Sequence, residues 1–320
     1  MWEVDPGVKD GPLEPVDDRG HIQFKAERNL TPRFKMLTCV GTGTFGKVIM
    51  CWDRVERVVV AVKVLRSVDK YAVAGRNEIA VLTTMMNHDK GAQWPFLRLK
   101  GWFEYNGMGE SRHIAMVFDM LGPSLYETML RNWSAPFHVV DIRGYIRQVL
   151  QSLAYMHGLG IVHTDVKPEN LLHSKAGYAA KARGGTAVAN GVANGVGNGV
   201  GNGVGNGVGN GSGGNEAGKG DDGPDAEDGQ RPKKKARSTT NRKPLAAYLP
   251  SDGKIIMCDF GSAAFEDGAH AKTVSTRNYR APEIILQVGW SVEVDLWSVG
   301  CLIMEMVTGA TFFSTSCDKE

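Results

Sequence analysis

Residues 161–172 have the sequence I-V-H-T-D-V-K-P-E-N-L-L, and this stretch decides the fold. In a loop for phosphoryl transfer, an aspartate orients the attacking hydroxyl, a lysine lies near the phosphate and an asparagine contacts the metal ion. Asp165, Lys167 and Asn170 follow that order here. Such loops usually place an arginine directly before the aspartate, whereas this chain has Thr164. The stretch is therefore a working variant, a damaged loop or an accidental match.

The chain also contains a glycine-rich stretch at residues 41–48, with the sequence G-T-G-T-F-G-K-V. A dinucleotide-binding fold would require a helix directly after the glycines. Two strand-like runs follow instead, V-I-M-C-W-D-R and R-V-V-V-A-V-K-V-L-R. We therefore interpret the glycines as a hairpin whose backbone N–H groups approach phosphate oxygens without obstruction by Cβ atoms. An ordinary glycine turn is the alternative.

Lys63 lies in an otherwise apolar strand, V-A-V-K, where an unpaired lysine would be costly to bury. Its candidate partner is Glu78, which falls in the middle of the next predicted helix. A lysine exposed at the end of its strand is the alternative, and the glycine-rich stretch upstream argues against it.

Two further motifs follow in the order that the same chemistry requires. D-F-G begins at Asp259, which would make a second metal contact beside Asn170, and A-P-E ends at Glu283. His163 is predicted to be a buried packing residue rather than a base. His-x-Asp also occurs in hydrolases and metal sites, but no serine-nucleophile motif and no H-E-x-x-H accompany it. The four motifs together predict the α+β, bilobal protein-kinase fold.

Composition argues against several other classes of protein. The 320 residues carry a formal net charge of +2, which indicates no nucleic-acid partner. The five cysteines are scattered and form no C-x-x-C pair, so neither a disulfide framework nor a zinc site is predicted. The sequence contains no run of roughly 20 apolar residues, as a membrane helix needs, and its first residues lack the apolar run of a signal peptide. We expect a soluble intracellular protein with no membrane partner.

The chain divides into four parts. Residues 1–33 are predicted to be a polar tail, residues 34–117 a β-rich first lobe, and residues 118–320 a mainly helical second lobe. An insert at about 174–252 interrupts the second lobe and repeats N-G-V-G from Asn190. Because such a composition buries too little apolar surface to offset the cost of ordering its backbone, we predict a flexible insert.

Residue patterns predict the main elements. Partly alternating, β-branched runs predict strands of an antiparallel sheet at 34–41, 46–54 and 57–66, and a further strand at 113–120. Apolar residues at helical spacing predict helices at 71–87 and 139–156, and a run that is apolar almost all round predicts a buried helix at 295–307. The cleft between two such lobes is a natural place for a ligand.

Several stretches resemble one kinase family more narrowly. S-T-R-N-Y-R-A-P-E at 275–283 is similar to the CMGC group, which contains the cyclin-dependent, MAP and LAMMER kinases. H-T-D-V-K-P-E-N-L-L at 163–172 resembles the H-T-D-L-K-P-E-N-I-L of the LAMMER (CDC-like, dual-specificity) kinases, where threonine replaces the usual arginine. Further agreement is found in E-R-N-L-T-P-R-F-K at 27–35, C-W-D-R at 51–54, V-F-D-M-L-G-P-S-L-Y at 117–126 and D-F-G-S-A at 259–263. The resemblance is strongest to the plant-type branch and covers about residues 20–173 and 254–320.

The resemblance implies an enzyme that uses ATP and Mg²⁺ and phosphorylates serine and threonine in arginine/serine-rich splicing factors, with autophosphorylation on tyrosine. It implies that Phe118 lies behind the adenine, that Asp119 and Leu121 offer hinge hydrogen bonds, and that Thr276 contacts the catalytic aspartate and lysine. The residues implied to bind ATP are Val40, Gly41, Thr42, Gly43, Thr44, Phe45, Gly46, Val48, Ala61, Lys63, Glu78, Phe118, Asp119 and Leu121.

The threonine at position 164 also leads to an expectation about regulation by phosphorylation. The usual arginine pairs with a phosphate on the activation segment and orders that segment. A threonine cannot form such a bidentate charged contact. We therefore expect that phosphorylation of the activation segment is not the main switch.

The chain departs from the family at its end. It stops at D-K-E, where the family continues into H-L-A-M-M-E-R. The arginine that normally pairs with the A-P-E glutamate is missing with that region, so Glu283 is expected to be a partly buried carboxylate without its partner. Losing one member of a buried pair costs about 3–5 kcal/mol. We expect a C-terminally truncated chain that is unstable or inactive alone, and an inactive fragment or pseudokinase scaffold is the alternative function.

A basic run, R-P-K-K-K-A-R, extends from Arg231 to Arg237. We interpret it as a nuclear import signal, which implies a nuclear location and the import machinery as a partner. A solvated charge cluster, with a cytoplasmic location, is the alternative. Because no aromatic residues interleave for base stacking, we expect no direct nucleic-acid partner.

Overall fold

The structure is a computed structural model that describes residues 16–106, 112–174, 178–180, 248–250, 252–268 and 270–314. All of them fall in one of the two compact units of the chain, residues 1–190 together with 243–320. Residues 1–15, most of the predicted insert and the basic run lie outside the described residues. Within the described ranges, no helix is both long enough and apolar enough to cross a membrane.

A five-stranded antiparallel sheet forms the first lobe. Its strands are β1 (Phe34–Thr42), β2 (Gly46–Asp53), β3 (Val58–Leu65), β4 (Leu99–Asn106) and β5 (Arg112–Asp119), in the order β1-β2-β3-β5-β4. In β3, Val60, Val62 and Val64 are buried on one face. Since strand side chains alternate, Lys63 points to the opposite face. The strands predicted from the β-branched runs are confirmed, and β4 was not predicted.

Helix α1 (Asp69–His88) follows β3 and packs against β3, β4 and β5. It buries Ile79, Leu82 and Met85, while Met86 is only partly buried. Glu78 lies on the same buried side of the helix. The helix predicted at 71–87 is therefore confirmed. Its packing face carries Glu78, the carboxylate predicted to pair with Lys63.

The second lobe consists of helices joined by very short strands. In chain order its elements are α2 (Leu125–Arg131), α3 (Val139–Gly158), β6 (Ile161–Val162), β7 (Leu171–His173), β8 (Tyr178–Ala180), β9 (Tyr248–Pro250), β10 (Ile255–Met257), β11 (Ala264–Phe265), α4 (Pro282–Leu286) and α5 (Glu293–Thr308). Helices α3 and α5 confirm the two helices predicted in this lobe. One buried cluster includes Leu82 of α1, Phe118 of β5, Leu153 of α3 and Leu302 of α5, so an apolar core joins the lobes.

Two short antiparallel ladders bring distant motifs together. In the first, β7 pairs with β10 so that Leu171 lies opposite Met257. In the second, β6 pairs with β11 so that Val162 lies opposite Ala264. The H-T-D stretch and the D-F-G stretch each connect strands of these two ladders, and the ladders therefore hold them side by side.

The base of the insert is ordered. Strands β8 and β9 pair with each other inside the predicted insert boundaries, which were therefore too wide. Asn132 holds β9, because its Nδ2 donates to Tyr248 O at 2.8 Å and its Oδ1 accepts from Tyr248 N at 2.9 Å. When the ends of an insert already lie side by side, further length adds little closure entropy. The two ends of the insert are thus held together by the β8–β9 pairing, and the second lobe does not depend on the length of the repeat between them.

The prediction of a polar tail is wrong for residues 16–33. Ile22 and Leu30 are only 2% and 1% exposed and belong to a core cluster of the sheet. Lys47 Nζ donates to Ile22 O at 2.7 Å, and Ser67 N donates to Gly20 O at 2.9 Å. Single apolar residues scattered among polar ones have no period, so the sequence pattern provides no signal for this packing.

Candidate active site

A cavity of about 600 Å³ lies between the sheet and the second lobe. Thirteen of the fourteen residues implied to bind ATP line it, and these are Val40, Gly41, Thr42, Gly43, Phe45, Gly46, Val48, Ala61, Lys63, Glu78, Phe118, Asp119 and Leu121. Thr44 does not line it, and its carbonyl accepts from Arg66 Nη1 at 3.2 Å instead.

Other lining residues were not predicted. Several adjoin the hinge or the D-F-G motif and could have been found by extending those motifs. The lining residues that were not predicted are Leu97, Met120, Gly122, Ser124, Tyr126, Glu127, Glu169, Leu172 and Cys258, and of these Met120, Gly122 and Cys258 adjoin the hinge or the D-F-G motif. Burial raises the pKa of the Cys258 thiol, which keeps it protonated and poorly reactive.

The glycine-rich stretch forms a hairpin between β1 and β2, closed by Gly43 N donating to Gly46 O at 2.9 Å. This excludes the dinucleotide-fold alternative, which needs a helix there. Gly46 is required by packing, because an added Cβ would lie 2.1 Å from Val64 O. A Cβ on Gly41 or Gly43 would meet nothing within 4 Å. These two glycines therefore leave their backbone open to the cavity that they line.

Lys63 lies between two carboxylates at the cavity. Its Nζ donates to Oε1 and Oε2 of Glu78 at 2.9 and 2.8 Å, and to Oδ1 of Asp259 at 2.8 Å. The Lys63 and Glu78 side chains are 14% and 2% exposed, which excludes the alternative of a solvent-exposed lysine. Strand β3, helix α1 and the D-F-G stretch therefore meet at one ammonium group.

The pKa values of these three groups follow from burial and from their partners. Burial would lower the pKa of Lys63, but Asp259 and Glu78 outweigh it and the net pKa is raised. Burial would raise the pKa of Asp259, but Lys63 outweighs it and the net pKa is lowered. The pKa of Glu78 is raised, because Lys63 does not fully offset its burial. Lys63 and Asp259 are therefore held in their charged forms near neutral pH.

Asp165 is the centre of a second polar cluster. Its Oδ1 accepts from Thr276 N at 3.0 Å and from Thr276 Oγ1 at 2.7 Å, and its Oδ2 accepts from Lys167 Nζ at 2.7 Å. Lys167 Nζ also donates to Thr276 Oγ1 at 2.9 Å. The structure thus brings together the three residues that the resemblance placed in one catalytic group.

Asn170 and Asp259 present oxygen atoms that suit a hard cation. Asn170 Nδ2 donates to Asp165 O at 2.9 Å, and Asp259 accepts from Lys63 through Oδ1. Asn170 Oδ1 and Asp259 Oδ2 accept no hydrogen bond from the described residues. Mg²⁺ prefers oxygen ligands and usually takes one or two from carboxylates, with water and substrate phosphates completing its shell. The residues present therefore fit the implied ion.

A buried carboxylate that the sequence analysis did not single out holds the catalytic loop. Asp295, in the first turn of α5, is fully buried and accepts from His163 N at 2.9 Å, Thr164 N at 2.8 Å and His157 Nε2 at 2.9 Å. The His163 ring packs against Phe260 with centroids 5.3 Å apart, which confirms it as a buried packing residue. The available signal for Asp295 was an aspartate at the start of an otherwise apolar helix.

Glu283 ends the A-P-E motif and is half-buried. In the part of the chain that the structure describes, its carboxylate forms no hydrogen bond or ion pair. The nearby hydroxyl of Tyr279 donates to Glu305 of α5, and both residues are buried. This hydrogen bond joins the stretch just before the A-P-E motif to α5 and does not involve Glu283.

Comparison with known proteins defines the class of protein. The family model described as the protein kinase domain matches residues 34–182 and 246–320. The chain belongs to the protein kinase family. A crystal structure of another kinase domain matches the fold with a TM-score of 0.69 and 28% sequence identity, covering 94% of this chain and 72% of that one. The predicted bilobal kinase fold is thereby confirmed.

Curated relatives confirm the narrower resemblance to the LAMMER and CDC-like kinases. The chain is 36% identical over 309 residues to the serine/threonine-protein kinase AFC3 of Arabidopsis thaliana, covering 97% of this chain and 63% of the relative. It is 36% identical over 304 residues to AFC1 of the same plant, covering 95% and 53%. It is 32% identical over 305 residues to the human dual specificity protein kinase CLK1, covering 95% and 50%. The chain thus spans between half and two-thirds of the length of these relatives.

The contacts of Lys63 generate a stability prediction. In Lys63→Met, the buried carboxylate of Glu78 and the 30% exposed carboxylate of Asp259 lose their shared cation, so we expect the free energy of unfolding to fall by about 3–5 kcal/mol. Adding Glu78→Leu removes one of those carboxylates and should restore part of the loss, which makes the two substitutions non-additive. Denaturant unfolding of the two single variants and the double variant measures the coupling.

Lys100→Met is the matched control. Lys100 Nζ also lies 2.8 Å from a carboxylate, that of Asp119, but the two side chains are 37% and 67% exposed. We expect this substitution to cost less than about 1 kcal/mol. Additive losses at Lys63 and Glu78, or equal losses at Lys63 and Lys100, would contradict a coupled buried pair.

Proposed function

We propose that this chain is an ATP-dependent protein kinase that transfers the γ-phosphoryl group of Mg·ATP to serine and threonine hydroxyls. The observation that carries the proposal is the joint geometry at the cavity. Lys63 lies between Glu78 and Asp259, while Asp165 is bonded to Lys167. Such a constellation positions a nucleotide and a hydroxyl for in-line transfer, and positioning with charge stabilisation is most of what this reaction requires.

Each residue of the site has a separate role in the proposed transfer. Lys63, oriented by Glu78, donates to phosphate oxygens of the bound nucleotide. Asp165 accepts the hydrogen bond of the incoming hydroxyl and orients it for attack. Lys167 offsets the charge that develops on the transferred group. When bound at the asparagine and aspartate oxygens described above, Mg²⁺ supplies positive charge that neutralises the phosphates.

The proposed substrates are arginine/serine-rich splicing factors. This part of the proposal rests on the similarity to LAMMER-type kinases rather than on any residue of the cleft. The relatives whose names include dual specificity, such as human CLK1, support the further proposal that the chain autophosphorylates on tyrosine.

An inactive fragment or pseudokinase scaffold is the second candidate function. The observation that favours it is the half-buried Glu283, whose carboxylate has no partner among the described residues. Such a protein would bind ATP in the cavity without transferring phosphate.

Transfer of labelled phosphate from Mg·ATP to an arginine/serine-rich peptide tests the proposed function. We expect incorporation that requires both Mg²⁺ and the peptide serines. Asp165→Asn should lower kcat by about 10²-fold or more, with little change in ATP affinity, because Asp165 does not line the nucleotide cavity. Wild-type protein that binds ATP but transfers nothing would favour the scaffold.

Contacts that need no phosphate hold the activation segment, residues 259–283. Arg280 Nε donates to Val274 O at 3.0 Å and Arg280 Nη2 to Ser275 O at 2.9 Å. Trp290 Nε1 donates to Ala271 O at 2.9 Å. These contacts support the proposal that the segment takes up its arrangement without phosphorylation.

Treatment with a phosphatase tests that proposal. We expect turnover of the arginine/serine-rich peptide to stay within about twofold of the untreated protein, since no phosphate-binding arginine precedes Asp165. Mass spectrometry of the activation segment verifies that phosphate has been removed, and mock-treated protein is the control. Loss of turnover on dephosphorylation would show that the segment depends on phosphate.

We propose a nuclear location through the basic run from Arg231 to Arg237, which lies outside the described residues. Deletion of 231–237 from a fluorescent fusion should shift the protein from nucleus to cytoplasm, because the deletion removes the clustered positive charge that import signals present. Deletion of 201–207, a stretch of the same length within the neutral repeat, is the control. An unchanged location would leave the run as a solvated charge cluster.

A further inference from the structure

Thr164, the residue that departs from the usual kinase pattern, bonds to the segment that follows D-F-G. Its Oγ1 donates to Ser262 O at 2.9 Å. Asp165 is its neighbour in the chain, and Ser262 follows Gly261 at the end of the D-F-G motif. We propose that Thr164 is a positioning residue that fixes the Asp259 segment, residues 258–263, to the Asp165 loop, residues 163–170. This inference rests on the proposed kinase function.

The backbone around Thr164 determines where its hydroxyl points. The residue is fully buried, and its φ of 69° lies in the left-handed region, which is rare for a β-branched residue. Thr164 N donates to Oδ1 of Asp295 at 2.8 Å, which holds the backbone in that conformation. Strained backbone that its surroundings maintain is common at functional sites. The hydroxyl is therefore presented to Ser262 by a framework that extends to α5.

The Asp259 segment has anchors on both sides of the Thr164 contact. On one side, Cys258 N donates to Asn170 O at 2.9 Å. On the other side, Asn77 Nδ2 of α1 donates to Ala263 O at 2.7 Å. The turn between these anchors contains Asp259, whose φ of 63° is also in the left-handed region. The Thr164–Ser262 bond holds that turn between its two ends.

Loss of the hydroxyl should therefore affect the metal contact more than the cavity. The turn would keep its anchors at 258 and 263, and Asp259 would keep its bond from Lys63 through Oδ1, but the turn could shift about these points and move Asp259 Oδ2 relative to Asn170. Because Thr164 does not line the nucleotide cavity, affinity for metal-free ATP should hardly change. The part of the affinity that depends on Mg²⁺, and the rate of transfer, should fall.

Three variants separate positioning from stability. Thr164→Val keeps the β-branched shape and removes only the hydroxyl, whereas Thr164→Ser keeps the hydroxyl. The matched control is Thr128→Val, because Thr128 is also fully buried and its Oγ1 donates to a backbone oxygen, Ser124 O, at 3.0 Å. The readouts are melting temperature, kcat and KM for ATP, and ATP affinity titrated with and without Mg²⁺.

We expect Thr164→Val to lower kcat about tenfold, the equivalent of one lost hydrogen bond, and to reduce the Mg²⁺-dependent gain in ATP affinity. Thr164→Ser should recover both quantities to within about twofold. Thr128→Val should lower the melting temperature and leave kcat and the Mg²⁺ effect unchanged. If Thr164→Val behaves like Thr128→Val, its role is structural and the inference is overturned.

The same titrations distinguish failure of the inference from failure of the proposed function. Wild-type protein that binds no ATP would refute the proposed kinase, and the inference would fall with it. If the wild type binds ATP but transfers no phosphate, the Mg²⁺ titration of Thr164→Val against wild type still decides the inference. An equal Mg²⁺ effect in those two proteins would overturn it.

Discussion

The buried ammonium of Lys63 is the constraint on which the rest of the site depends. A single cation in a largely dry environment is tolerated only if carboxylates surround it. Glu78 and Asp259 supply them at 2.8 Å. Helix α1 must therefore turn Glu78 inward, and the D-F-G stretch must reach the sheet of the first lobe. One electrostatic requirement thus sets the position of an element from each lobe relative to β3.

Asp295 imposes the corresponding constraint from the second lobe. Among the described residues, its buried carboxylate accepts hydrogen bonds from the backbone N–H groups of His163 and Thr164 and from the His157 ring. Backbone donors can replace water around a buried charge when their geometry is fixed. The loop that carries Asp165 therefore takes its shape from α5. Lys63 holds the D-F-G stretch through Asp259 and Asp295 holds the stretch before Asp165 through backbone N–H groups, and the Thr164–Ser262 bond connects these two stretches.

The sequence allowed the site to be predicted better than its surroundings. Lys63, Glu78 and Asp165 lie in motifs whose chemistry restricts the residue type, and helices α1 and α3 have a clear apolar period. Residues 16–33 were missed because their apolar residues have neither a helical nor a strand period. Strand β4 alternates in burial, with Leu99, Gly101 and Phe103 buried between partly buried neighbours, but it was missed because Gly101 and Trp102 break the alternation of apolar and polar residues in its sequence. Asp295 was missed for a different reason. The function of a buried carboxylate depends on the donors that approach it, and those lie more than a hundred residues away in the sequence.

Thr164 stands where protein kinases usually have an arginine, and the two residue types act on the activation segment in different ways. An arginine at this position orders the activation segment through a charge that arrives from outside, on a phosphate. A threonine hydroxyl reaches only an adjacent partner, so its effect is local and always present. In this chain that partner is the turn after D-F-G, while Arg280 and Trp290 hold the remainder of the segment through backbone carbonyls. On the proposal that the segment takes up its arrangement without phosphorylation, several short contacts to backbone carbonyls replace one long-range contact to a phosphate, and the arrangement of the segment is then a property of the fold.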